Sequence, residues 1–190
     1  MYRATANYRI GVCFEFAGRR DSAIVYYRAA TRSDRKFGDD AYSVRKSELR
    51  LESRLQAADS LLIVTQNAVH SGNYDDAIKT SSSITALSGV SSDMLLEAEY
   101  LRAESYFEKK SYAEALHGYQ SMSGKTAERE LWLIPWSHYQ SGLCLLKLNN
   151  PTLAKKEFEQ AQEYDEYDFH NWLEFRTKRE LEKIEKKSNQ

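Results

Sequence analysis

Proline is almost missing from this chain, with 2 in 190 residues beside only 8 glycines. A strand-rich fold needs turn residues at every reversal and β-branched runs between them, so this shortage argues for helices. Cysteine is as scarce: Cys13 and Cys144 stand alone, too few for a small disulfide-stapled fold. Each follows a glycine by two residues, and both read as free, buried thiols. No apolar run approaches the ~18 residues that a membrane span requires. The first residues, MYRATANYRIG, lack the apolar centre of a secretory signal. These absences read as a soluble, cytoplasmic protein. Helical sequence begins almost at Met1, however, as in a chain cut from a longer one that could have carried an export signal. A net charge of −1 gives no strong pull toward nucleic acid.

What the chain does have is alanine, leucine and charged residues in helical rhythm, and a repeated ladder. Near the C-terminus run Gly142, Leu145, Ala154, Phe158 and Ala161, and near the N-terminus, at identical spacing, Gly11, Phe14, Ala23, Tyr27 and Ala30. Two copies of one helix-pair pattern in a short chain point to a repeat architecture. A weaker copy runs Thr65, Ala68, Gly72, Tyr74, Ala77, Ser81, Ile84, and a fourth runs Ala103, Tyr106, Tyr112, Ala115, Tyr119, Met122. The reading is an all-α solenoid in one domain over 1–190, which could be part of a longer chain. It consists of a first pair at 4–33, an inserted helix at 40–57, a degenerate pair at 58–88, pairs at 92–122 and 131–164, and a closing helix at 167–187. Residues 41–71 hold no Gly or Pro and form either one long helix or two with a bend near Gln56 and Ala57. Gly18 suits the left-handed position that ends a helix. Gly38 reads as a stop, Asp39 or Asp40 as the next cap, Pro135 as a kink, and SSSITALSGVSS as a polar turn. In the closing helix Phe169, Trp172, Leu173, Leu181 and Ile184 fall on the apolar side.

Small residues let paired helices approach within about 8–10 Å. Ala23, Ala115 and Ala154 supply that contact here, while Phe14, Tyr27, Tyr106, Tyr119 and Phe158 plug the adjacent holes. Through this ladder, residues 4–166 resemble the tetratricopeptide repeat (TPR) family. More narrowly, 131–184 resembles the C-terminal end of the Iml-type and number-39-type eukaryotic TPR proteins, through Trp132, Pro135, Tyr139, Gly142, Tyr164, Tyr167, Leu173 and Arg176. The resemblance implies a right-handed superhelical scaffold whose concave groove holds a peptide or protein, with no catalysis and no cofactor.

The groove of such an array is lined by one face of each first helix, which here gives Tyr8, Val12, Gln66, Tyr100, Glu104, Tyr139 and Leu143. A tyrosine row offers large contact area with a polar tip; the plainer alternative is that the rings pack against neighbouring helices. One TPR subclass clamps a partner's C-terminal carboxylate with Lys, Asn and Arg. Those places hold Tyr8, Val12, Ile63, Glu97 and Leu101, so that clamp is absent. Glu97, Glu99, Glu104 and Glu108 read as a solvated helix face or as a site for a basic partner segment. Arg45, Lys46, Arg50 and Arg54 could meet nucleic acid, but Glu48 and Glu52 interleave at helical spacing and satisfy them locally. Ser123-Gly124-Lys125-Thr126 ends like a phosphate-binding loop, yet Tyr119 stands where that loop needs glycine. His70, His117, His138 and His170 are scattered without ligand spacing, and no nucleophile–base pair is visible. The expectation is therefore a non-enzymatic interaction scaffold for a protein or peptide partner. Self-assembly into a homodimer through residues 2–16 is the structural alternative, and a nucleic-acid-associated regulator the weaker one.

Overall fold

The computed structural model describes residues 3–34 and 38–188. Arg35, Lys36 and Phe37, within the break expected after the first pair, lie outside the described residues, as does Tyr2 at the expected dimer end. The described residues are all-α, in two compact units, Met1–Gln56 and Ala57–Gln190. None of their helices is long and apolar enough to cross a membrane.

The first unit holds α1 (Arg3–Phe16), α2 (Arg20–Thr31) and α3 (Gly38–Glu52). Helices α1 and α2 form a pair, and α3 packs on both. Gly38 starts α3 instead of stopping a helix, and Asp39 and Asp40 both fall inside its first turn. Asp40 does cap a helix, but a different one. Its carboxylate accepts from the Thr5 N–H at 3.0 Å and from Thr5 Oγ1 at 3.1 Å, satisfying a backbone donor that the first turn of α1 leaves over. Glu15 is the second tie. It accepts from Arg20 Nη1 at 2.7 Å, from the Tyr27 hydroxyl at 2.7 Å and from the Leu55 N–H at 3.1 Å. Arg20 also donates to the Arg50 carbonyl. Arg50 itself is buried and donates to the Arg54 carbonyl, while Lys46 and Arg45 lie over the Tyr42 ring. The basic stretch of α3 is thus largely engaged within the unit.

The second unit holds three pairs, α4 (Ala57–His70) with α5 (Tyr74–Thr85), α6 (Ser92–Glu108) with α7 (Tyr112–Gln120), and α8 (Leu133–Lys147) with α9 (Pro151–Ala161), followed by α10 (His170–Ser188). The Gly/Pro-free stretch is therefore two helices, α3 and α4, separated at residues 53–56. First helices pack in sequence, α4 on α6, α6 on α8 and α8 on α10, whereas the backbones of α5, α7 and α9 stay apart among the described residues, α7 reaching α9 through the Gln120 side chain. A closed layer of first helices backed by an opened layer of second helices is the packing of an α-solenoid, bent toward the first helices. α10 occupies the place that the first helix of a further pair would take. His138 Nδ1 and Gln120 Nε2 both meet the Glu157 carboxylate, at 2.8 and 3.0 Å, tying α7, α8 and α9.

One ladder runs through all four pairs. At each rung stand Gly11, Thr65, Ala103 or Gly142; then Ala23, Ala77, Ala115 or Ala154; then Tyr27, Ser81, Tyr119 or Phe158. All of them are buried. A Cβ built on Gly11 would come within 2.5 Å of the Tyr27 ring, and one on Gly142 within 2.5 Å of the Phe158 ring. The aromatic ring therefore lies against bare backbone. Each pair also turns in the same way. Gly18, Gly72, Lys110 and Asn149 take positive φ of 73°, 77°, 64° and 58°. The next N–H reaches back to the Phe14, Ala68, Tyr106 or Leu145 carbonyl at 2.8–2.9 Å, closing a Schellman-type stop.

Several expected details come out differently. Cys144 is buried but Cys13 is exposed, both thiols free. Residues 81–85 belong to α5, where Ser81, Ser82 and Ser83 donate back to carbonyls one turn earlier and so stay helical. Pro135 sits in the first turn of α8, where its missing N–H interrupts no bond. Phe14 and Tyr106 are half-buried. In α10 the inward stripe is Leu173, Thr177 and Ile184, and Trp172 is turned outward, 53% exposed, with Phe175 at 60%.

Two stability changes follow from the ladder and the turn. Gly142→Ala should lower the unfolding free energy by about 1–3 kcal/mol through overpacking against Phe158, despite alanine's better helix propensity; urea denaturation checks it, and an unchanged midpoint would refute the close approach. Lys110→Gly should gain about 1 kcal/mol by relieving a left-handed non-glycine residue, read in the same titration.

Candidate functional site

The layer of first helices in the second unit carries the expected groove residues. On α4, Gln66 is half-buried and donates from Nε2 to Glu97 Oε1 at 2.8 Å. Glu97 is only 2% exposed, so the acid standing at a clamp position is spent on a neighbouring helix. On α6, Tyr100 is 5% exposed, its ring edge-on to Tyr119 at 5.4 Å and to Trp132 at 5.3 Å. On α8, Tyr139 is also 5% exposed, beside Trp136 at 5.9 Å and Phe158 at 5.7 Å. Their rings lie largely within the unit. Leu143 is half-buried on the same helix. Tyr8 and Val12 lie on α1 in the first unit, where Tyr8 is half-buried, 6.1 Å from the Tyr27 ring, and Val12 is buried.

Glu104, one turn beyond Tyr100, is the residue whose chemistry stands out. Burial, and then the like charge of Glu108, push its carboxyl up to about 7, against a partial opposing pull from His70. Burial likewise holds the Tyr100, Tyr119 and Tyr139 hydroxyls above their usual range and raises the Cys144 thiol to about 12, leaving it protonated and inert.

Three contributors were not legible as site residues beforehand. Gln140 on α8 donates from Nε2 to the Tyr100 hydroxyl at a long 3.5 Å, while its own Oε1 is buried without a partner among the described residues. The Tyr119 hydroxyl on α7 is buried and unpaired in the same sense. Arg176 on α10 stacks on Trp172 at 3.9 Å and stands beside the Tyr139 hydroxyl. Gln140 follows Tyr139 directly and could have been found by continuing the Trp136 face of α8 one turn. Arg176 could not, because α10 belongs to no pair. The arrangement holds hydrogen-bonding groups and charge on a half-sheltered surface, with acids at the α6 end and Arg176 at the α10 end.

The folded-state value for Glu104 lies above the ordinary 4.5, so its contribution favours folding at low pH and declines as pH rises toward 7. Glu104→Gln should therefore stabilise the protein at pH 8 and lose that advantage by pH 4.5. Thermal melts at the two values measure it; an equal difference at both would show that the carboxyl is not held protonated.

Comparison with known proteins bears on residues 4–37 and 137–168, each of which matches the family model described as tetratricopeptide repeat. The first match takes in α1 and α2, the second α8 from Ser137 onward with α9. Neither the curated proteins nor the solved structures compared with the chain gave a match. Matched repeats thus occur in both units, with helix pairs of the same build between them, and the chain carries tetratricopeptide repeats.

Proposed function

We propose that this protein is a non-enzymatic adaptor that seats an extended or helical segment of a partner along the first-helix layer of its second unit. Tetratricopeptide repeats in general support protein–protein interaction, and that broader role is the starting point. The observation that carries the finer reading is the row of half-buried, polar or apolar side chains on touching helices: Gln66 on α4, Glu104 on α6, Gln140 and Leu143 on α8. Such positions are neither core nor freely solvated, and an incoming chain can complete their burial. Tyr100 and Tyr139 contribute hydroxyls and ring edges, not whole faces. The second-helix layer is opened, its backbones standing apart among the described residues with α7 joined to α9 through the Gln120 and Glu157 side chains, so it offers no comparable continuous strip.

Affinity capture from an extract of the source cells, with Leu143→Arg set against Leu153→Arg on the exposed side of α9, tests the placement. Loss of bound protein with Leu143→Arg and retention with Leu153→Arg is expected, with circular dichroism confirming that both fold. Retention by both variants would remove the groove assignment.

A further inference from the structure

Around the Tyr100 hydroxyl, groups from three helices converge without partners of their own. The Glu104 carboxylate accepts no hydrogen bond and closes no ion pair among the described residues, although burial already penalises its charge. Tyr119 is 1% exposed, its ring lies 5.4 Å from that of Tyr100, and its hydroxyl, unpaired among the described residues, is under the electrostatic influence of Tyr100, Glu104, Cys144 and Glu108. Gln140 Oε1 is buried and unpaired in the same sense, held there because Nε2 is turned to Tyr100. Buried polar groups normally find partners within the fold, and an orphaned set in a native chain is unusual.

The composition of the set says what would complete it. An ionised Glu104 carboxylate, the Gln140 amide oxygen and the phenol oxygens are acceptors first, and the hydrogens beside them are those of the phenols and of the Gln140 amide, which is turned to Tyr100. Glu108 adds a second negative charge from the same helix, against a partial opposing pull from His70 on α4, while Arg176 on α10 acts on the Tyr100 and Tyr139 hydroxyls. At the Glu104 end an anion would be repelled. No group of three or more His, Cys, Asp or Glu side chains able to hold a metal occurs among the described residues, and the phenol oxygens of Tyr100 and Tyr119 can accept from the N–H groups of an organic cation. We propose that Glu104, Gln140 and Tyr119 form the seat for one lysine or arginine side chain of a partner segment. This rests on the groove reading above and adds its specificity: a donor-rich cation meets the three acceptors at once.

The test uses the full chain and fluorescent octapeptide pools, random except for a fixed central Lys, Arg, norleucine or Glu, read by polarisation. The Lys and Arg pools should bind about 10- to 100-fold more tightly than the norleucine pool, as expected for a charge-assisted bond, and the Glu pool more weakly still. Glu104→Gln, nearly isosteric, should erase that preference, bringing the Lys and Arg pools level with the norleucine pool measured on the same variant. A preference that survives in Glu104→Gln overturns the seat. If all pools bind wild type alike and Leu143→Arg abolishes binding, the groove stands and the cation seat falls. If no pool binds wild type, the seat again falls, and the groove is then judged by the capture experiment alone.

Discussion

Everything in this fold depends on how closely the two helices of a pair can approach. At Gly11 and Gly142 no side chain intervenes, and the Tyr27 and Phe158 rings press on the bare helix so tightly that a single methyl would collide. The third pair reaches the same intimacy from the other side, since a Cβ on Gly118 would come within 2.8 Å of Ala103 Cβ. Once the pair is close, dispersion contacts and apolar burial act over its whole length. The common turn, with one left-handed residue and a backbone bond back across the helix end, then fixes the angle at which the second helix returns.

Much of this could be seen in the sequence, because few folds other than stacked helix pairs need small and aromatic residues at such fixed intervals. Ala23, Ala77, Ala115 and Ala154 are all fully buried, as their spacing suggests. Harder to see was how the weak second pair fills its core. It places Thr65 where other pairs have Gly or Ala, and Ser81 where they have an aromatic ring. The larger residue on one helix faces the smaller on the other, so volume is exchanged across the seam, and Thr65 spends its hydroxyl on the Leu61 carbonyl and Thr80. Pattern matching by residue type makes such a pair look degenerate, whereas packing does not. The turn shows the same limit. Gly18 announces a left-handed residue, but Lys110 and Asn149 adopt it because their neighbours impose it.

The candidate site was legible in outline only. Helical spacing put Gln66, Tyr100, Glu104, Tyr139 and Leu143 on the first helices, but spacing cannot say how much of a ring its neighbours cover. Trp132, from the turn ahead of α8, closes over Tyr100, and Phe158 and Trp136 border Tyr139. What remains open to another molecule is therefore more polar than a tyrosine row suggests. Glu97 and Glu104, two turns apart on one helix, have opposite fates for the same reason: Gln66 reaches the first, and nothing of the kind among the described residues meets the second. Which acid was spoken for depended on the side chain facing it from α4, information that lies about thirty residues away in the chain.

The carboxylate of Asp40 on the start of α1 has a bearing on assembly order. The opening turn of the first helix is completed by a group 35 positions downstream, so the Thr5 N–H gains its native partner only once α3 has been made. α1 and α2 by themselves would leave that donor unsatisfied, which makes the trio, and not the pair, the complete hydrogen-bonded form of the first unit.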